Sequence, residues 1–152
     1  MKSKSYQKFA IMMAVSFVIM YGVMFLNADI FDHVMLSTTR TYMTILMISA
    51  MAVTMMLFMW GMYENKKANY LIIGSALIIF FGTLSMLRNQ TMIADVQWMK
   101  AMIPHHSSAI MVSQKAHLKD PEAQKLAQDI IEAQKKEIAQ MKAMINRLES
   151  NK

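Results

Sequence analysis

The chain contains no cysteine and few residues that break helices, with two prolines and four glycines among 152 residues. Without cysteine it forms neither disulfides nor thiolate metal sites, which excludes CxxC-type zinc and redox centres. The HExxH, nucleophile-elbow and Gly-rich phosphate-binding motifs are absent as well, and no Glu-x-x-His pair of the di-iron type occurs. We therefore predict a protein that is not an enzyme.

Charged side chains are missing from three long apolar stretches, at residues 9–26, 44–62 and 70–87. Each has close to the ~20 residues that a helix needs to cross a bilayer. The first stretch follows several lysines, but it is too long for a signal peptide and no cleavage site follows it. We predict that residues 1–88 form a membrane anchor of three transmembrane helices embedded in the lipid bilayer.

The distribution of lysine and arginine predicts the orientation of the anchor, because cytoplasmic loops are enriched in both. The N-terminal tail holds Lys2, Lys4 and Lys8, and the loop at 63–69 holds two more lysines, whereas the loop at 27–42 has one arginine and two aspartates. The N-terminus is therefore expected inside. In a bacterium this predicts a multi-pass protein of the inner (cytoplasmic) membrane, with residues 89–152 in the periplasm or outside the cell, away from nucleic acid.

Beyond the third stretch, charged and apolar residues alternate with a helical period and predict two amphipathic helices, at about 92–118 and 121–148. Asp120, Pro121 and Glu122 form a strong helix-start signal, with Asp as N-cap and Pro at the first helical position. Because the linker is short, residues 89–152 should form an antiparallel hairpin. Folding it about residues 119–120 places Met102 level with Glu137, His105 with Gln134 and Trp98 with Met141. The predicted fold class is all-α.

Potential metal ligands converge on one part of this hairpin. A carboxylate on an apolar helix face is unfavourable unless it is paired or coordinated, and thioether and imidazole ligands together suit copper, especially Cu(I). Pro104 removes a backbone hydrogen bond, and the resulting kink could aim His105 and His106 into the interface. The principal candidates are Met102, His105, His106, Glu137 and Met141, and the weaker ones are Met99, His117, Gln134 and Met144. The alternative is ordinary core packing, with histidine hydrogen-bonded to Glu137 or Gln134.

The same residues resemble a known family. The run from Trp98 to His106, followed by Ala109 and Ile110, is similar to the signature of the family catalogued as domain of unknown function 305, and so is the run from Ala133 to Met141. The resemblance covers about residues 92–148. The better-understood members of this family are CopM-like periplasmic copper-binding proteins with a ferritin-like helical bundle.

This resemblance implies a copper-binding bundle outside the cytoplasm, with His105, His106, Glu137, Met141 and Met102 at signature positions. Copper is the leading candidate, and other transition metals are possible. The implied roles are buffering, trafficking or resistance, with other copper-handling proteins as partners.

Two features depart from the family pattern. Ser107 and Ser108 replace the usual Gln-Gly, and only two helices are predicted where many members have four, so a homo-oligomer could complete the bundle. The alternatives are an oligomerising module without a metal and, less favoured, a metal-dependent enzyme.

Methionine is unusually frequent, with twenty residues. On the second apolar stretch it recurs at every fourth position, at Met43, Met47, Met51, Met55 and Met59. Such a row could pass Cu(I) across the membrane, but no charge, cysteine or histidine accompanies it, so we interpret it as packing by an adaptable apolar side chain. His33 and Met35 in the first loop suggest a further metal contact only weakly.

Overall fold

The computed structural model describes the backbone of residues 2–150 and the side chains of residues 5–150. The helices are α1 (Lys2–Val23), α2 (Thr38–Phe58), α3 (Lys66–Arg88), α4 (Asp95–Lys115) and α5 (Pro121–Ser150), with short 3-10 turns at Phe31–His33 and Trp60–Met62. The described part of the chain contains no strand, which confirms the predicted all-α fold class. The side chains of Lys2 and Lys4, used to predict the orientation, lie outside the described residues.

Three helices are long and apolar enough to cross a membrane, as predicted: Ser5–Val23 within α1, Thr38–Phe58 and Lys66–Arg88. Little of their surface is buried within the protein, and large apolar side chains such as Val18, Leu57 and Ile78 are exposed. An apolar surface of this extent suits lipid rather than water. The helices also satisfy their own backbone hydrogen bonds, which is what a bilayer requires of a spanning segment.

The chain divides into two compact units. One comprises residues 1–23 and 39–91, and the other comprises residues 24–38 and 92–152. The segment 24–38, which includes most of the predicted first loop, thus belongs with α4 and α5 rather than with α1–α3. Local hydropathy contains no signal for this assignment, because it depends on contacts between residues far apart in the sequence.

The core of the first unit has one methionine at its centre and further methionines around it. Met56 is fully buried and packs with the buried residues Phe9, Ala52, Tyr63 and Ala76, and partly buried residues that include Met12, Met13, Met55 and Met59 surround this cluster. In the row of methionines at every fourth position, Met43 and Met47 are exposed, whereas Met51, Met55 and Met59 are partly buried. These five residues therefore form no continuous buried path, and packing accounts for those that face inward.

One buried amide links α1 to α3 within this unit. Asn69 is fully buried, and its Nδ2 donates to the carbonyl of Tyr63 at 3.0 Å. Its Oδ1 accepts from the Tyr6 hydroxyl at 2.8 Å, and the same hydroxyl lies 3.2 Å from the carbonyl oxygen of Asn65. Both halves of the amide are thus satisfied, as burial of a polar group requires.

Replacing Asn69 by alanine should therefore destabilise the first unit by about 1–3 kcal/mol, because the Tyr63 carbonyl is left buried without its donor. Unfolding in SDS, followed by Trp60 fluorescence, would measure this. Tyr6→Phe is the matched control: it removes the Tyr6 donor but leaves the bond from Asn69 to Tyr63, so a smaller loss is expected. Equal losses for the two variants would contradict the assignment of Asn69 as the central group.

The second unit is built on the predicted hairpin. Asp120 caps α5 as expected, with its Oδ1 accepting from the backbone N–H of Ala123 at 2.8 Å. The buried core consists of Met99, Ile103 and Ile110 from α4 and Ile131, Ile138, Met141 and Ile145 from α5.

The observed bounds of α4 differ from the predicted ones at both ends. It begins at Asp95 rather than at Met92, because Gln90 and Met92 adopt positive φ angles of 52° and 59° that interrupt a right-handed helix. It ends at Lys115 rather than at residue 118, since Ala116 is already extended.

Candidate metal centre

His106 and Glu137 are the predicted ligands that the structure brings into direct contact. Nε2 of His106 lies 2.8 Å from Oε2 of Glu137, and Nδ1 of the same ring lies 2.9 Å from the Met102 carbonyl oxygen. The imidazole is mostly buried, whereas Glu137 is largely exposed and reaches the ring from the edge of the hairpin. The pair therefore closes one side of the α4–α5 interface.

Both partners of this imidazole are hydrogen-bond acceptors. A carbonyl oxygen accepts only, and so does an ionised carboxylate. Which ring nitrogen donates depends on the tautomer. A metal ion on Nε2 would meet the Glu137 carboxylate on the same side. The donor set thus fits a cation at this position.

Met102 and Met141 lie one helical turn from the His106–Glu137 contact. Met102 precedes His106 by four residues on α4 and Met141 follows Glu137 by four on α5, so each shares a helix face with its neighbour. Because the helices are antiparallel, both steps lead in the same direction along the hairpin. Met141 is buried in the core and Met102 packs against it, as predicted, and Met99 is buried in the same cluster.

Gln134, one helical turn before Glu137 on α5, has a buried side-chain oxygen, Oε1, without a hydrogen-bond partner among the described residues. Gln134 precedes Glu137 by one helical turn and therefore lies on the same side of α5. An acceptor buried without a donor is unfavourable, so this oxygen is free to interact with a cation or a water molecule.

Other predicted ligands lie away from the interface. His105 is exposed, with its ring centroid 6.2 Å from that of His106. The predicted effect of Pro104 is therefore wrong for His105: α4 continues through the proline, and consecutive residues on a helix point about 100° apart. His117 is exposed beyond the end of α4, and Met144 is 39% exposed.

The side chain of Glu137 contacts His106, which lies one turn along α4 from Met102, the residue predicted to be level with Glu137. Side chains on a helix lean toward its N-terminus. In an antiparallel pair the side chains of the two helices therefore lean in opposite directions along the hairpin. Two side chains that touch then belong to residues whose backbones lie at different levels. The prediction counted backbone positions and therefore missed this offset.

A site that the sequence interpretation did not identify is formed by Ser107 and Ser108. Ser107 is fully buried, and its Oγ accepts from the backbone N–H of Asp29 at 2.8 Å and lies 2.9 Å from Nδ1 of His33. Ser108 Oγ accepts from Nδ2 of Asn27 at 2.9 Å. The two serines that depart from the family pattern thus hold the segment 27–33 against α4. These two serines and the polar residues of the first loop were the sequence features from which this contact could have been predicted.

Charge also connects this segment to α5. Lys142 forms an ion pair with Asp32, and this contact lowers the pKa of the Asp32 carboxyl below its ordinary value. The pKa of His33 is lowered as well, first by partial burial and then by the nearby Lys142 ammonium. His33 is therefore favoured in its neutral form, which is consistent with its contact to the Ser107 hydroxyl.

Few imidazole and carboxylate side chains cluster in this region. Among the described residues, no group of three or more His, Asp or Glu side chains is arranged around a common point. The pair of His106 and Glu137 has thioethers on both helices one turn away, so methionine sulfur and the Gln134 oxygen are further donors within one helical turn.

Comparisons with known proteins agree with the signature in α4 and α5. A family model described as a domain of unknown function, DUF305, matches residues 82–145, which include the end of α3, all of α4 and most of α5. An uncharacterized protein of Acanthamoeba polyphaga mimivirus is 33% identical over 139 residues, which cover 90% of this chain and 90% of that protein. This similarity therefore extends into the part that carries α1–α3. No solved structure matches the chain.

Proposed function

The chain belongs to the DUF305 family, and we propose that it is a membrane-anchored protein that binds copper outside the cytoplasm, for buffering, trafficking or resistance, and that it is not an enzyme. The observation that carries this proposal is the contact between His106 and Glu137, with Met102 and Met141 one turn away on the two helices. Imidazole, carboxylate and thioether groups from both helices thus lie within one helical turn of each other along the hairpin.

The chemistry of these donors favours Cu(I) over other metals. Thioethers are soft ligands that select Cu(I), whereas carboxylates and water suit hard cations. His106 would supply the nitrogen ligand and Met102 and Met141 the sulfur ligands, with Glu137 as ligand or as the group that orients the imidazole. Copper, when bound, would be the cargo of the protein, and the ligands would determine how tightly it is held.

The composition of the second unit fits an even number of membrane crossings between its two segments. Residues 24–38 follow the first span and residues 92–152 follow the third, and Asn27 and Asp29 form hydrogen bonds with α4. Segments that fold together must lie on the same side of the membrane. The two spans α2 and α3, which separate these segments, meet this condition in either orientation, and the lysines of the N-terminal tail and of the loop at 63–69 favour a copper site outside. In a bacterium this corresponds to the periplasmic face of the inner membrane.

We also propose that the hairpin self-associates, as the family likeness implies. The supporting observation is that Trp98, Val112 and Leu126 remain about half exposed or more on α4 and α5. A second copy packed against α4 and α5 would cover these side chains and complete a four-helix bundle. Other copper-handling proteins are the expected partners for delivery or release of the metal.

A Cu(I) competition titration on the full chain in detergent tests the copper proposal. We expect stoichiometric binding by the natural protein. The combined variant Met102→Leu, His106→Gln and Met141→Leu should reduce the affinity by more than about a hundredfold, since loss of groups that merely support metal ligands already reduces it about 10–100-fold. The matched control changes the same residue types at exposed positions: Met92→Leu, His117→Gln and Met144→Leu.

The control should bind Cu(I) as the natural protein does. A natural protein that binds no Cu(I), or a combined variant that binds it equally well, would overturn the proposal. Size-exclusion chromatography of the same samples would then examine the alternative. A combined variant that loses its oligomeric state while copper binding is unaffected would favour the oligomerising module without a metal.

A further inference from the structure

The segment 24–38, which connects α1 to α2, directs most of its polar groups toward the hairpin. The residues that form hydrogen bonds or ion pairs with α4 and α5 are Asn27, Asp29, Asp32, His33 and Thr38. Met35 joins them by packing against the buried cluster of the hairpin. The side of the segment that contacts protein is therefore mainly polar.

Large apolar side chains of the same segment are exposed instead. They are Leu26 at 78%, Ile30 at 48%, Phe31 at 89% and Leu36 at 68% exposure. A loop surrounded by water normally has the opposite arrangement, because exposing apolar area to water is unfavourable. Single exposed apolar side chains are ordinary, but several within residues 26–36 indicate a contact with another apolar surface.

The position of the segment in the chain identifies the lipid bilayer as that surface. Leu26 follows the end of α1 by three residues, and Leu36 precedes the start of α2 by two. Both ends of the segment are thus joined to helices that are long and apolar enough to cross a membrane. Along the chain, exposed apolar side chains continue from Val18 and Val23 on α1 to Leu26. The segment therefore extends the surface that the spans present to lipid.

We propose that Ile30 and Phe31 insert into the interfacial region of the bilayer, so that the segment between the first two spans is a lipid contact of the second unit. This inference rests on the proposed membrane anchor and does not depend on copper. Apolar groups buried at the boundary between head groups and acyl chains are stabilised by leaving water, as on the apolar face of an interfacial helix. The charge of the neighbouring Asp32 is compensated by Lys142, which makes its approach to lipid less unfavourable.

The lipid contact has a consequence for the hairpin. The backbone N–H of Asp29 and the ring of His33, on either side of Phe31, are both bonded to Ser107 on α4. Insertion of Phe31 thus restrains α4 through the residue next to His106. The bilayer surface would in this way hold the hairpin close to the membrane.

Spin labelling tests the lipid contact directly, because the natural chain has no cysteine and a single introduced cysteine carries the only label. The full chain with Phe31→Cys is labelled with a nitroxide and reconstituted in phosphatidylcholine vesicles. Its accessibility is then measured to oxygen, which concentrates in lipid, and to a water-soluble nickel chelate. We expect the oxygen accessibility to exceed the nickel accessibility, as at Ile78→Cys on α3, which is 75% exposed. Asp129→Cys, at an exposed position on α5, is the matched control and should show the reverse order.

Three results would overturn the inference. A Phe31→Cys label that is more accessible to the nickel chelate than to oxygen lies in water. A label with low accessibility to both reagents is covered by protein, such as a second copy or a copper-handling partner. If the Ile78→Cys label also lies in water, the proposed membrane anchor fails and the inference with it. Binding of Cu(I) to the natural protein is independent of all three results.

Discussion

Replacing Ile110 by alanine should lower the free energy of unfolding of the second unit by about 2–5 kcal/mol. Ile110 is 0% exposed and belongs to the cluster that joins α4 to α5. Truncation removes buried methyl and methylene groups and leaves a cavity that two helices tied by a short linker close only in part. Because small helical units have little stability to spare, this is among the largest effects expected from a single substitution.

Trp98 fluorescence can measure this effect, since Trp98 lies in the second unit and Trp60 in the first, and the chain has no other tryptophan. A Trp60→Phe background leaves Trp98 as the sole reporter during denaturation. Val112→Ala is the matched control on the same helix, because Val112 is 57% exposed. Its expected effect is within about 0.5 kcal/mol. Similar losses at Ile110 and Val112 would show that the cluster is not the stabilising core.

Replacing Ser107 by alanine should also have a large effect and lower the free energy of unfolding of the second unit by about 2–3 kcal/mol. Ser107 is fully buried, and its hydroxyl is the partner of both the Asp29 N–H and the His33 ring. Removing one side of a buried hydrogen bond typically costs ~1–3 kcal/mol, because the remaining group is left without a partner. The segment 27–33 should consequently detach from α4 more often.

Hydrogen exchange at the Asp29 amide follows this detachment directly, and the exchange rate should rise markedly in Ser107→Ala. Ser108→Ala is the control in the neighbouring position. It removes the single bond to Asn27, which is exposed, so water can replace it and the loss should be smaller. If the Asp29 amide exchanges at the same rate in Ser107→Ala as in the natural protein, Ser107 does not hold the segment.

Much of the fold follows from local patterns in the sequence. The uncharged apolar stretches predict the three helices that could span a membrane, and the helical period beyond them predicts α4 and α5. The start of α5 at Pro121 could be predicted closely because Asp120 satisfies the free N–H groups of the first turn through its own side chain. These features depend on residues within a few positions of each other.

The arrangement of the candidate site was less predictable. Met102, Met141 and the His106–Glu137 pair could be selected because thioether, imidazole and carboxylate groups on apolar helix faces are unusual. The exposure of His105 and the contact between His106 and Glu137 could not, because they depend on the direction in which side chains point once the helices pack. The positive φ angles at Gln90 and Met92, which delay the start of α4, have no signature in residue type.

By itself, then, the sequence determined the helical class, the three helices that are long and apolar enough to span a membrane, and the family, because each depends on composition or on spacing along one helix. Only the tertiary structure decided that residues 24–38 fold with α4 and α5, that His106 rather than His105 meets Glu137, and that Met35 packs against the α4–α5 core. Asp29 and Ser107 are 78 positions apart. Contacts across such distances arise only when the whole chain folds, because the entropy of closing the loop is offset by many contacts formed together.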